Sequence, residues 1–310
     1  CSKPRPASSS TCWNSSRHDD GLAMLEELAG LGFEHVELGH GIRFSLWPGI
    51  LKGVEKGVAK IVSLHNFCPL PMGFTRPNPN CYEFSDYRSN VRKRAIRCTK
   101  ETIQHAAELE ANRVVLHLGS TGQPRRSSVL ESEVGRGNFG SRRFVKQKLL
   151  AIAEHEARHQ RTWNRVKAAL EDIVPFAQEH GVRLGCECRE EIEEFPMESR
   201  FREILGQFPG ETLGYWHDFG HAARKEALGF VDHLKHFKSY ADHLVGCHVH
   251  DFKYPNRDHR PLGAGIIDFP AFWEVLPTAI IPTLELSPRL SVEQVESCLK
   301  WWKQNGPDQN

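Results

Sequence analysis

Six side chains able to hold a metal ion or move a proton stand at or near the ends of six different short apolar runs. They are His65, His117, Glu187, Asp218, His248 and Glu285. The two glutamates lie in stretches where a charge is out of place, LGCEC around Glu187 and IPTLEL around Glu285. A carboxylate buried there without a partner costs several kcal/mol, and a bound cation removes that cost. Two glutamates, an aspartate and a histidine make an oxygen-rich donor set. Such a set suits Mn2+, Mg2+ or Co2+ better than a thiolate zinc site would. Cys186 and Cys188 alternate with Glu187, so on a strand they point the opposite way and are excluded as ligands.

A denser stretch runs from Gly246 to Asp268, GCHVHDFKYPNRDHRPLGAGIID. His248 and His250 are two residues apart and share a face if the chain is extended there. A glycine turn follows, and Asp268 then reads as the cap of a helix with Pro270 in its first turn.

The elements that must position these groups alternate regularly. Strands are expected at Ser10–Ser15, Glu34–Leu38, Lys60–Phe67, Arg113–Gly119, Val182–Cys188, Thr212–Asp218, Leu244–Asp251 and Ile281–Leu286. Helical spacing of apolar residues separates them, as in Leu22, Leu25, Leu28 and Ala29 before the glycines at 30 and 32. Strand then helix, repeated eight times without an internal domain boundary, predicts the α/β class: a single (β/α)8 TIM barrel. The barrel is expected over residues 10–310, behind a flexible tail at residues 1–9. Fourth in that series, the strand is followed by an inserted loop over Ser120–Gly140 and a long polar helix from about Arg142 toward Glu179. Closure brings the C-terminal ends of the strands to one face, where such barrels place their active sites. All six side chains then converge.

The bulk composition narrows the partners. The 310 residues carry a formal net charge of +1, with 25% charged and 39% hydrophobic side chains. That balance gives no general pull toward nucleic acid, and no apolar run is long enough to span a membrane. Nine cysteines without CxxC pairs read as reduced thiols of a cytoplasmic protein. The Cys1-Ser2 start followed by a Pro/Ser-rich stretch gives the alternative of a lipid-anchored or exported protein.

In order and strand placement these residues resemble the xylose-isomerase-like TIM-barrel superfamily, which holds sugar isomerases and epimerases and the endonuclease IV type of DNA-repair enzyme. The supporting motifs are Asp218-Phe219-Gly220-His221, His248-Val249-His250-Asp251 and the turn PLGAGIIDF. The ketose-epimerase branch implies one divalent ion, Mn2+ favoured over Mg2+, Co2+ or Zn2+, on Glu187, Asp218, His248 and Glu285. It also implies Glu187 and Glu285 as the catalytic base and acid. The endonuclease branch implies three zinc ions and draws in His65, His117, His221 and His259. Arg257 stands where that branch has a ligating aspartate.

The expected function is therefore metal-dependent isomerisation or epimerisation of a sugar, by proton transfer beside a carbonyl through an enediolate. Two alternatives use the same residues: a lyase acting on 3-keto sugars or glycosides, and an abasic-site nuclease. His65, His117, His221, His250, Asp251, His259 and Arg189 are expected to contact substrate or a second metal. The expected partner is a small carbohydrate rather than nucleic acid. The 120–167 insertion is placed either to cover the site or to join copies in a homo-oligomer.

Overall fold

The computed structural model describes residues 5–308; Cys1-Ser2, on which the lipid-anchored alternative rests, lies outside them. Among the described residues there are ten strands: β1 Ser8–Ser10, β2 His35–Leu38, β3 Lys60–His65, β4 Arg113–Leu116, β5 Arg183–Glu187, β6 Leu213–Asp218, β7 Leu244–Val249, β8 Asp251–Lys253, β9 Arg257–Arg260 and β10 Thr283–Leu284. Eight of them close into a barrel in the order β1-β10-β7-β6-β5-β4-β3-β2. Every neighbouring pair is parallel. This is the predicted (β/α)8 barrel.

Alternation along each strand decides which residues face the axis. On β6 the inward positions are Trp216 and Asp218. Tyr215 and His217 face outward, Tyr215 against Phe201 and Tyr240 and His217 against Phe237. Trp216 packs with Val115 and Val245 inside the barrel and sets its ring 5.0 Å from that of His248. Glycines at 185 and 246 make room for this indole, since a Cβ on Gly246 would lie 2.2 Å from it. Trp216 is thus the floor on which the polar groups stand.

Several sequence expectations are corrected. The first strand lies at Ser8–Ser10 rather than Ser10–Ser15, and residues 11–17 form a turn. The tail boundary moves with it: the Arg5 N–H donates to the Pro307 carbonyl (2.8 Å), and its guanidinium donates to the Leu276 and Pro277 carbonyls. A serine run has the composition of a linker, yet these three serines are fully buried, being small enough for the barrel wall. The supposed loop at 120–140 holds a helix, Ser127–Gly135. Its first N–H groups are capped by a distant carboxylate, Glu193, which accepts from Arg126 N (2.7 Å) and Ser127 N (3.1 Å). No local motif announces such a cap. The helix Arg142–Glu179 is continuous, with Pro175 inside it and Ser141 capping its start. Asp268 caps nothing through its side chain: it is exposed, and the short helix Pro270–Trp273 starts after Phe269. Residues 251–260, expected as strand end and loop, form the antiparallel β8–β9 hairpin.

No helix among the described residues is long and apolar enough to cross a membrane. All eight described cysteines are free thiols. One buried ion pair ties helices outside the barrel: Lys225 Nζ lies 2.5 Å from Glu198 Oε1, with Lys225 only 1% exposed. Glu198→Ala leaves that ammonium buried and unpaired, so it should cost about 3–5 kcal/mol in denaturant unfolding. A loss below about 1 kcal/mol would mean that water reaches Lys225.

Candidate active site

The polar groups meet at the C-terminal mouth of the barrel. Glu187 ends β5, Asp218 ends β6, His248 is the penultimate residue of β7, and Glu285 follows β10 directly. His248 Nδ1 is the meeting point. Glu187 Oε1 lies 2.7 Å from it, Glu285 Oε2 3.2 Å and Asp218 Oδ2 3.7 Å. All four residues are at most 4% exposed. Burial opposes charge on His248, but the Glu285 and Glu37 carboxylates outweigh it and hold its pKa well above the ordinary value. Burial likewise opposes the Glu187 and Glu285 charges. The Arg189 guanidinium and the hydrogen-bonded His117 imidazole act on Glu187, and His248 and His259 act on Glu285; they reverse that and hold both carboxyls well below their usual range.

Outer partners fix the orientation of these groups. Glu37 Oε1 sits 3.0 Å from His248 Nε2, and Ser63 Oγ donates to Glu37 Oε2 (2.7 Å). That leaves Nδ1 turned toward the three carboxylates. Asp218 caps the helix Phe219–Ala227, its Oδ1 accepting from His221 N (2.7 Å). His250 Nδ1 accepts the N–H of His259 (2.8 Å), so its Nε2 carries the proton and donates to Asp218 Oδ2 (3.0 Å). His259 itself is in the left-handed region, φ 49°, and stacks on His250 at 4.0 Å.

A cleft of about 930 Å³ opens above this corner. Of the residues named from sequence, His65, His117, Glu187, Arg189, His221, His259 and Glu285 line it. Asp218, His248 and His250 lie fully buried beneath. His65 and His221 donate from Nδ1 to the carbonyls of Asn66 and Cys188, which leaves their Nε2 lone pairs free. Asp251 is a correction. Its carboxylate accepts the N–H groups of Phe252, Gly265 and Ile267 and pins the glycine turn, away from the cleft. A Cβ on Gly265 would meet that carboxylate at 2.2 Å, which accounts for the glycine.

Arg189 is fully committed inside the site. Its Nη1, Glu187 Oε2 and His117 Nε2 form a triangle with sides of 2.5, 2.6 and 2.8 Å, and its Nε donates to Glu194 (2.9 Å). His65, His117 and Glu187 form a metal-capable trio, but the guanidinium holds two of its members, His117 and Glu187. Cys188 serves the backbone, its sulfur accepting the Asp218 N–H (3.1 Å).

Four cleft or support residues were not found from sequence: Glu37, His40, Cys12 and Glu190. Glu37 carries the signal that flagged Glu187, a carboxylate within an apolar strand (HVEL). Cys12 and His40 lie just past the ends of β1 and β2, and His65 ends β3 in the same way. Glu190 lines the cleft, and burial pushes its carboxyl up to about 7 against the pull of the paired Arg224.

The family model described as a xylose isomerase-like TIM barrel matches residues 25–287. The chain belongs to that family. Its fold is shared by a D-tagatose 3-epimerase-like protein (TM-score 0.67, 16% identity, 97% of this chain and 96% of that one). It is shared too by a 3-keto-D-glucoside 4-epimerase of E. coli (0.65, 11%, 96% and 98%). An L-ribulose 3-epimerase is also similar (0.63, 15%, 100% and 90%). The uncharacterized protein MJ1311 of Methanocaldococcus jannaschii is 26% identical over 190 residues, 58% of this chain and 51% of that protein. The chain thus matches about half the length of that curated relative.

The donor set fits a divalent cation: Glu187, Asp218, His248 and Glu285 offer one ligand atom each within 4.8 Å of one another. If Glu37 aims His248 as the geometry indicates, Glu37→Gln should weaken Mn2+ binding to the metal-free protein roughly 10–100-fold in calorimetric titration. Unchanged affinity would remove Glu37 from the site.

Proposed function

We propose that this chain is a sugar isomerase or epimerase working with one divalent cation, Mn2+ favoured, on Glu187, Asp218, His248 and Glu285. When bound, that ion supplies a Lewis acid that polarises the substrate carbonyl and stabilises the enediolate. The observation that carries the reading is how the two glutamates divide their oxygens. Glu187 Oε1 and Glu285 Oε2 both face His248 Nδ1, where the ion belongs. Glu187 Oε2 and Glu285 Oε1 are left on the cleft side, one on each flank. Each carboxylate can hold a cation with one oxygen and exchange a proton with the other.

The two outer oxygens differ in basicity. Glu187 Oε2 is held by Arg189 and His117, whereas among the described residues Glu285 Oε1 meets only the weak thiol donor of Cys12 at 3.5 Å. Glu285 is therefore the readier proton acceptor, and Glu187 works beside a fixed positive charge. His65 and His221, with free Nε2 atoms, are placed to accept hydrogen bonds from sugar hydroxyls. The guanidinium in the His65–His117–Glu187 trio supports a single oxygen-bound ion over the three of a nuclease.

The cleft volume, about 930 Å³, sits at the upper end of the range for ligand sites, roughly 300–1,000 Å³. That size admits a glycoside or disaccharide as well as a single sugar, so the lyase on 3-keto glycosides is kept beside the epimerase. Incubating a ketose and keto-glycoside panel in deuterated water separates the readings. An epimerase incorporates deuterium without losing a fragment, and a lyase releases the aglycone. Glu187→Gln and Glu285→Gln should each slow exchange about 10²–10⁴-fold while remaining folded. Near-native exchange in either variant contradicts the acid/base assignment. Mn2+ should bind at one ion per chain; three zinc ions with abasic-site cleavage would transfer the protein to the nuclease class.

A further inference from the structure

We propose that Cys12, His40 and Glu285 form a second cation site at the rim of the cleft, selective for a borderline-soft ion such as Zn2+. Cys12 lies just past β1, His40 just past β2 and Glu285 just past β10. These three strands are consecutive in the barrel wall, β2-β1-β10, so the side chains come to one edge of the mouth. All three line the cleft. Among the described residues Cys12 is the only cysteine in a cluster with metal-ligand spacing.

The distances suit a tetrahedral ion. Bonds of about 2.3 Å to sulfur and about 2.1 Å to nitrogen or oxygen place those donors roughly 3.6 Å apart. Cys12 Sγ lies 3.8 Å from His40 Nδ1 and 3.5 Å from Glu285 Oε1. A thiolate and an imidazole make this donor set softer than the oxygen-rich corner beside it, so the two sites sort ions by chemistry. Three protein ligands leave a fourth position open to the cleft.

Glu285 connects the two sites without being contested. Its Oε1 faces Cys12, while its Oε2 faces His248 at 3.2 Å. One carboxylate can bridge two ions, one per oxygen. Binding at the rim converts the Cys12 thiol to a thiolate and releases its proton to water. The ion then occupies the Glu285 oxygen that faces the cleft and narrows the entrance. Zinc at this site is inhibitory to any proton transfer by Glu285. The site itself rests on the rim geometry and not on the epimerase reading.

Co2+ is the probe, because its bond to a thiolate gives a charge-transfer absorption. Reduced, metal-free protein titrated with Co2+ should take up two ions, one of them with that band. Cys12→Ser should abolish the band and leave the other ion bound. His40→Ala keeps the thiol and should weaken the rim ion by more than the roughly 10–100-fold that loss of an outer partner costs. A titration to excess Co2+ without a thiolate band overturns the proposal, and so does a band that persists in Cys12→Ser. Loss of the other ion alone would count against the oxygen-rich corner and leave the rim site standing.

Discussion

Three carboxylates and an imidazole share one buried corner, and that crowding is the constraint on which the rest of the site depends. Like charges at these separations repel strongly where water is excluded, so positive charge must be brought to them. The protein does this from several directions. His248 stands among Glu187, Asp218 and Glu285, Arg189 and His117 neutralise the outer oxygen of Glu187, and His250 donates to Asp218. A divalent cation in place of the His248 proton meets the same requirement with stronger charge.

The barrel supplies what single elements cannot. Each candidate ligand sits at the end of a different strand, and parallel closure turns six distant sequence positions into neighbours. Trp216 closes the space below, so the polar corner has a dry floor. Glu37 and Ser63 set His248 from beneath, while Asp251 pins the glycine turn that carries His259 toward the cleft. The β8–β9 hairpin between those two residues makes the far wall.

Much of this was legible in the chain, for identifiable reasons. Eight alternations gave the barrel, and strand-end placement gave Glu187, Asp218, His248 and Glu285. Applied evenly, the rule that exposed Glu187 and Glu285 would also have exposed Glu37. The misses come from interactions without a local signature. Glu193 caps a helix more than sixty residues earlier, three buried serines imitate a linker, and Asp251 spends its carboxylate on backbone N–H groups. Arg189 was visible as a same-face neighbour of Glu187. Its contact with His117 and Glu187 together depends on β4 and β5 meeting, which spacing alone does not describe.

If one cation joins the two glutamates at His248, an anomalous-difference map from crystals grown with Mn2+ will locate it. A single strong peak is expected within bonding distance of Glu187 Oε1, Asp218 Oδ2, His248 Nδ1 and Glu285 Oε2, with Arg189 still seated between His117 and Glu187. A peak in the His65–His117–Glu187 trio with Arg189 displaced, or no peak at the His248 corner, would contradict it.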